Sequence, residues 1–180
     1  MGWRDALQRA AENRQDGAQT IALDVLEALA SARPDNLSKE ELDRALHTLQ
    51  KGQPAMAPIL RVCAEIRAHM DKPAGDLIQA CRTMLQNYRT MQDRFLEHLK
   101  HDPPEAGRRP WVFFSWSSTV NRGMQTLFSE SFEVPAALVG ASRPGGEGRK
   151  TAAWLRERGV EVQLLSDADL FDRVGRGEAG

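Results

Sequence analysis

The sequence predicts an α/β protein: an N-terminal helical bundle followed by a partial, parallel-sheet Rossmann-like domain. Three observations predict it. Up to residue 102, apolar residues recur at spacings of three and four, the period of an amphipathic helix. His101-Asp102-Pro103-Pro104-Glu105-Ala106-Gly107 then interrupts the pattern, because consecutive prolines cannot continue a helix. Beyond residue 110, short apolar runs alternate with amphipathic stretches, which is the grammar of βαβ units. The expected organisation is a bundle over 1–102, a linker over 103–109, and the first half of an α/β domain over 110–180.

In the first half, Ile21, Val25 and Leu29 share a helical stripe that ends at Arg33-Pro34-Asp35. Ser38-Lys39-Glu40-Glu41 reads as a capping box, with the Ser38 hydroxyl on the amide of Glu41 and the Glu41 carboxylate reaching back. It opens a helix carrying Leu42, Leu46 and Leu49, stopped by Gly52 and Pro54. Ile59, Val62, Cys63, Ile66 and Met70 mark the next, and the longest runs from about residue 74 to 100. Four or five helices are expected.

In the second half, Trp111 to Phe114 reads as a buried strand and a helix follows over roughly 118–128. Val134 to Val139, closed by Gly140, is a second strand. Gly145-Gly146 leads into a helix ended by Arg158-Gly159; Val160 to Leu165 is a third strand, and Asp167 caps a last short helix. The three strands should lie side by side through right-handed crossovers. Three parallel strands make only half of a doubly wound sheet, whose ligand crevice needs strands from the other half. The expectation is that a partner covers the open edge or that the polypeptide is a shortened form of something longer, since a bare strand edge invites association.

Composition narrows the function classes. In 180 residues, 24 Lys plus Arg nearly cancel 25 Asp plus Glu, leaving a net charge of −1 and no electrostatic drive toward nucleic acid or an anionic membrane. No apolar run approaches the ~18 residues that span a bilayer, and Met1-Gly2-Trp3-Arg4-Asp5 does not open a signal peptide. Cys63 and Cys81 sit on apolar stripes without a CxxC pattern, which argues for inert core thiols and against zinc or disulfides. A cytoplasmic protein without metal or cofactor is expected.

Two segments offer chemistry. Ser115, Ser117, Ser118 and Thr119 sit where the first strand turns into a helix, so they form either an anion site of hydroxyls and amides or a plain serine cap. Arg143 follows the second strand beside Gly145 and Gly146, and is either a phosphate partner or a solvated turn residue. Asp167 and Asp169 read as helix caps. His47, His69, His98 and His101 all lie in the helical half or its exit, and no catalytic residue is assigned.

Taken in order, Ser117-Ser118-Thr119-Val120, Ser142-Arg143-Pro144 with Glu147-Gly148, Ala152 and Leu155 before Gly159-Val160, and Ser166-Asp167-Ala168 resemble a known family. It is that of the eukaryotic translation initiation factor 2B regulatory subunits (alpha, beta and delta), which also holds methylthioribose-1-phosphate and ribose-1,5-bisphosphate isomerases. Pro54, Met56, Ala57, Pro58 and Ile59 carry a weaker likeness in the helical half. The resemblance implies a helical bundle before a Rossmann-like domain, and assembly with further copies or related subunits. It also implies a departure: Phe113-Phe114-Ser115 stands where the isomerases have Thr-His-Cys, so Ser115 replaces the catalytic thiol and Phe114 the histidine. Ala141 replaces the glutamate before Ser-Arg-Pro, the Arg-Gly-Ala phosphate loop is missing, and the catalytic Gly-Ala-Asp would fall beyond Gly180. The expectation is a non-catalytic subunit-like protein with regulatory or assembly duties and a sugar-phosphate or nucleotide site at Arg143, Ser115, Ser117, Ser118 and Thr119. The alternatives are an aldose–ketose isomerase of a phosphorylated ribose and a degenerate interaction module.

Overall fold

A computed structural model describes residues 2–103, 109–143 and 145–178. The expected linker falls largely, and Pro144 wholly, outside the described residues. The chain divides into two compact units, Met1–Phe95 and Leu96–Gly180.

The first unit is helical: α1 (Trp3–Glu12), α2 (Ala18–Ala30), α3 (Lys39–Gly52), α4 (Ala57–Arg67) and the greater part of α5 (Ala74–His101), which continues past Phe95, with one 3-10 turn at Pro34–Asn36. Each helix turns one stripe inward, and Leu7, Ile21, Leu26, Leu29, Leu42, Leu46, Leu49, Ile59 and Ile66 are all buried in one core. Helix α1 is an addition to the sequence reading. It buries Trp3, Leu7, Ala10 and Ala11, an i, i+4, i+7, i+8 stripe made half of alanine. Ser38 caps α3 by accepting the Glu41 amide at 3.4 Å, as the capping box requires. The reciprocal arm is absent, because the Glu41 carboxylate pairs with Arg4 instead.

Helices α1 and α3 lie side by side in the same direction, Arg4 pairing with Glu41 near their amino ends and Gln53 meeting the carboxyl end of α1. The Gln53 side chain, 3% exposed, donates from Nε2 to the carbonyls of Ala10 at 2.9 Å and Asn13 at 2.6 Å. These carbonyls lie in the last turn of α1 and at its C-cap, beyond which the helix does not continue; Asn13 O also accepts from Arg14 Nη1 at 3.1 Å.

Cys63 and Cys81 are buried among the helices, and burial pushes their thiols up to about 11 and about 12. A thiol held that high has almost no thiolate at neutral pH. Native protein should therefore resist a thiol-specific alkylating agent for hours, and guanidinium should release two reactive groups. Stoichiometric labelling of native protein within minutes would show that the bundle opens easily.

In the second unit, β1 (Trp111–Phe113), α6 (Ser118–Ser129), β2 (Ala137–Gly140), α7 (Glu147–Arg156), β3 (Val162–Leu165) and α8 (Asp167–Gly175) alternate. The strands are parallel in the order β1-β2-β3, with Trp111 beside Ala137 and Ala137 beside Val162. Alternate residues separate two faces. Phe113, Ala137 and Val139 pack under Met124 and Leu127 of α6 and Ala152 and Leu155 of α7. Val112, Leu138 and Leu165 pack under Leu170 of α8.

The second strand begins later than the sequence pattern implies. Pro135 has no amide to give to a ladder, and regular pairing starts with the Ala137 amide on Glu161 O at 2.8 Å. Helix α8 is also capped differently from expectation. Ser166 is the cap, accepting the Asp169 amide at 3.1 Å, which leaves Asp167 for another task.

Candidate functional site at the carboxyl rim of the sheet

All three parallel strands end on one rim, and the loops leaving β1, β2 and β3 are fastened there. The Ser142 hydroxyl donates to the carbonyl of Phe114, joining the end of β2 to the end of β1. Thr151 Oγ1, from α7, donates to Ser115 O at 3.2 Å. Asp167 closes the third side, accepting the amides of Ser142 at 2.8 Å and Arg143 at 3.2 Å. Ser142 adopts φ 54°, in the left-handed region.

The predicted residues divide by what the structure does with them. Ser117 is the N-cap of α6, its hydroxyl accepting the Val120 amide at 3.4 Å, so the capping reading holds for this serine. Ser118 and Thr119 open the first turn of α6 and are half-buried. Ser115 is exposed, and Trp116 beside it is pinned by Lys150 Nζ, 4.1 Å from its ring, and edge-on to Trp154 at 6.4 Å. Arg143 is exposed at the start of the β2–α7 loop. Its backbone amide is committed to Asp167.

Asp167 opens α8 as the pattern predicts but does not cap it; its carboxylate instead bonds amides of residues far back along the chain. No local signal reports a contact of that range, though an acidic side chain beside a better cap at Ser166 is compatible with it.

Two glycines let the rim close. A Cβ on Gly148 would stand 1.7 Å from the Gly140 carbonyl oxygen, so α7 lies directly against the end of β2. A Cβ on Gly140 would stand 2.9 Å from Asp167 Oδ1 and 3.0 Å from Leu170.

A separate open groove of about 700 Å³ lies within the helical unit, between α1 and α2. Arg4, Arg9 and Arg33 face Asp24 and Glu27 there, and Glu27 is paired with Arg89. This mixed charge does not select an anion. Among the described residues, no helix is long and apolar enough to cross a membrane.

A helical bundle preceding a parallel sheet with helices on both faces defines a two-unit α/β class. Solved structures share that fold. The translation initiation factor eIF-2B of Pyrococcus horikoshii OT3 superposes with a TM-score of 0.65 at 21% identity, over 91% of this chain and 59% of that one. The delta subunit of eIF-2B from A. fulgidus gives 0.57 at 13% identity, over 99% and 58%. The 5-methylthioribose 1-phosphate isomerase of P. horikoshii OT3 gives 0.56 at 16% identity, over 99% and 55%. The chain thus spans a little over half the length of each. No protein-family model and no curated protein sequence matches it. The fold agrees with the sequence resemblance.

Proposed function

We propose that the chain is a non-catalytic protein of the initiation factor 2B type, with a regulatory or assembly role in the cytoplasm. It associates with further copies or related subunits and holds a small phosphorylated ligand, a sugar phosphate or nucleotide, at the rim. Arg143 supplies the charge, and the first turn of α6 with Ser115, Ser118 and Thr119 supplies further donors. Ser117 contributes less, because its hydroxyl already caps the helix.

The observation that carries the non-catalytic reading is Ser115, at the strand end where the resemblance puts an isomerase thiol. A serine hydroxyl needs an adjacent base to become a nucleophile, and Phe114 occupies the position of the histidine. Helix positions and strand ends support the ligand reading, since open α/β sheets bind ligands outside the carboxyl ends of their strands.

Calorimetry with inorganic phosphate, a ribose phosphate and a nucleoside monophosphate tests it. A charge-assisted hydrogen bond contributes about 1.5–3 kcal/mol, so Arg143→Ala should weaken binding about tenfold to a hundredfold. Equal binding by both proteins would remove Arg143 from the site, and binding by neither would leave a protein-interaction module. Assayed in parallel, the protein should not interconvert methylthioribose-1-phosphate or ribose-1,5-bisphosphate. Turnover above the uncatalysed rate would favour the isomerase reading.

A further inference from the structure

Two consecutive main-chain amides that converge on one carboxylate form an anion seat, and here the chain fills that seat itself. Asp167 Oδ1 takes the Ser142 amide and Oδ2 the Arg143 amide. The left-handed conformation of Ser142 is of the kind that turns successive amides toward one point. The seat lies directly after β2, on the rim to which open α/β sheets bring ligands. Helix α8 does not require Asp167 there, because Ser166 supplies its cap. The glycine at position 140 leaves room for the carboxylate, which a side chain at that position would strike. Arg143 therefore carries both an exposed guanidinium and an amide already bound to an internal anion.

We propose that Asp167 is an autoinhibitory contact, an internal anion that competes with a ligand phosphate for the amides of Ser142 and Arg143. The inference rests on the rim as a phosphate site and adds how that site is regulated. A phosphate offers three acceptor oxygens and up to two negative charges to the same donors, and the seated carboxylate both occupies them and repels it. The site then has two states: Asp167 seated, or Asp167 turned out with phosphate in its place. A carboxylate that merely braces the loop makes the opposite prediction, because its removal would loosen Arg143 and weaken binding. The sign of the change separates the two.

The test is calorimetry with inorganic phosphate on wild type, Asp167→Asn, Asp167→Ser and Arg143→Ala. Amide chemical shifts of Ser142 and Arg143 are followed in the same titrations. Both Asp167 variants should bind phosphate about tenfold tighter or more, the scale set by hydrogen bonds to a charged group, and both amides should shift. Binding no tighter than wild type, or tighter binding with those amides unmoved, overturns the proposal. So does loss of folding in both variants, which would make Asp167 a structural brace. Arg143→Ala keeps the two readings apart. If it binds like wild type while the Asp167 variants bind tighter, the seat stands and the role of Arg143 falls. If it loses affinity while the Asp167 variants gain none, the reverse holds. If no protein binds phosphate, both fall.

Discussion

Gly148→Ala is expected to unfold the second unit or to pull α7 off the sheet. The new methyl carbon would lie 1.7 Å from the Gly140 oxygen, 2.8 Å from the Gly140 carbonyl carbon and 3.2 Å from the Ala141 carbonyl carbon. All three are backbone atoms, so no rotamer change relieves the overlap. Strand β2 cannot give way either, because it is buried along its length and paired on both sides. The helix must move outward, and Ala152 and Leu155, each 0% exposed, then lose their packing. A clash of this kind costs about 4 kcal/mol or more, a large share of the 5–15 kcal/mol that holds typical domains. Hydrogen exchange should show the amides of Ala137 to Gly140 losing protection. Gly145→Ala is the control, since its Cβ meets nothing closer than 3.6 Å; it should stay within about 0.5 kcal/mol of wild type. Wild-type protection in Gly148→Ala would mean that α7 does not sit on the strand end.

The second large effect is expected at Gln53. Leucine has nearly the same volume, so Gln53→Leu keeps the packing and removes the donor. The carbonyls of Ala10 and Asn13 then lose the amide that reaches them at 2.9 and 2.6 Å. Asn13 is half-buried and its carbonyl keeps the Arg14 guanidinium at 3.1 Å, so the cost is chiefly that of leaving the buried Ala10 carbonyl without its side-chain donor, about 1–3 kcal/mol for the helical unit. For a unit of this size that is a fall of roughly 4–24 °C in Tm. Gln53→Glu should be at least as damaging, because it brings an acceptor to acceptors. A shift below about 3 °C for both variants would show that water replaces the side chain at no cost.

The sequence announced those features whose causes are local. Helices α2 to α5 carry Ile, Leu and Val at helical spacing, and the stops at Gly52 and Pro54 need no tertiary knowledge. The three strands were legible because Gly and Pro bracket short apolar runs. Helix α1 was not, since Ala6, Ala10 and Ala11 are too small to stand out as an apolar stripe until other helices cover them. At the rim, the serine cap at Ser117 was legible from its position before a helix. The engagement of Asp167 with Ser142 and Arg143 was not, nor was that of Gln53 with α1. Both are side chains that satisfy backbone groups more than twenty residues away, and sequence spacing carries no record of where a chain returns.

The latch at Asp167 also orders events during synthesis. The helical unit draws only on residues up to 95, so its core can close as soon as those residues are available. Strands β1 and β2 emerge next, and β2 waits with one hydrogen-bonding edge bare until Val162–Leu165 arrives beside it. Only after residue 167 does a carboxylate reach the Ser142 and Arg143 amides. At about 5–20 residues per second, the rim spends seconds on the nascent chain with those two amides uncovered. The bond that fixes the loop after β2 is thus set by a residue translated well after that loop, and the rim takes its finished form only when β3 and the start of α8 are in place.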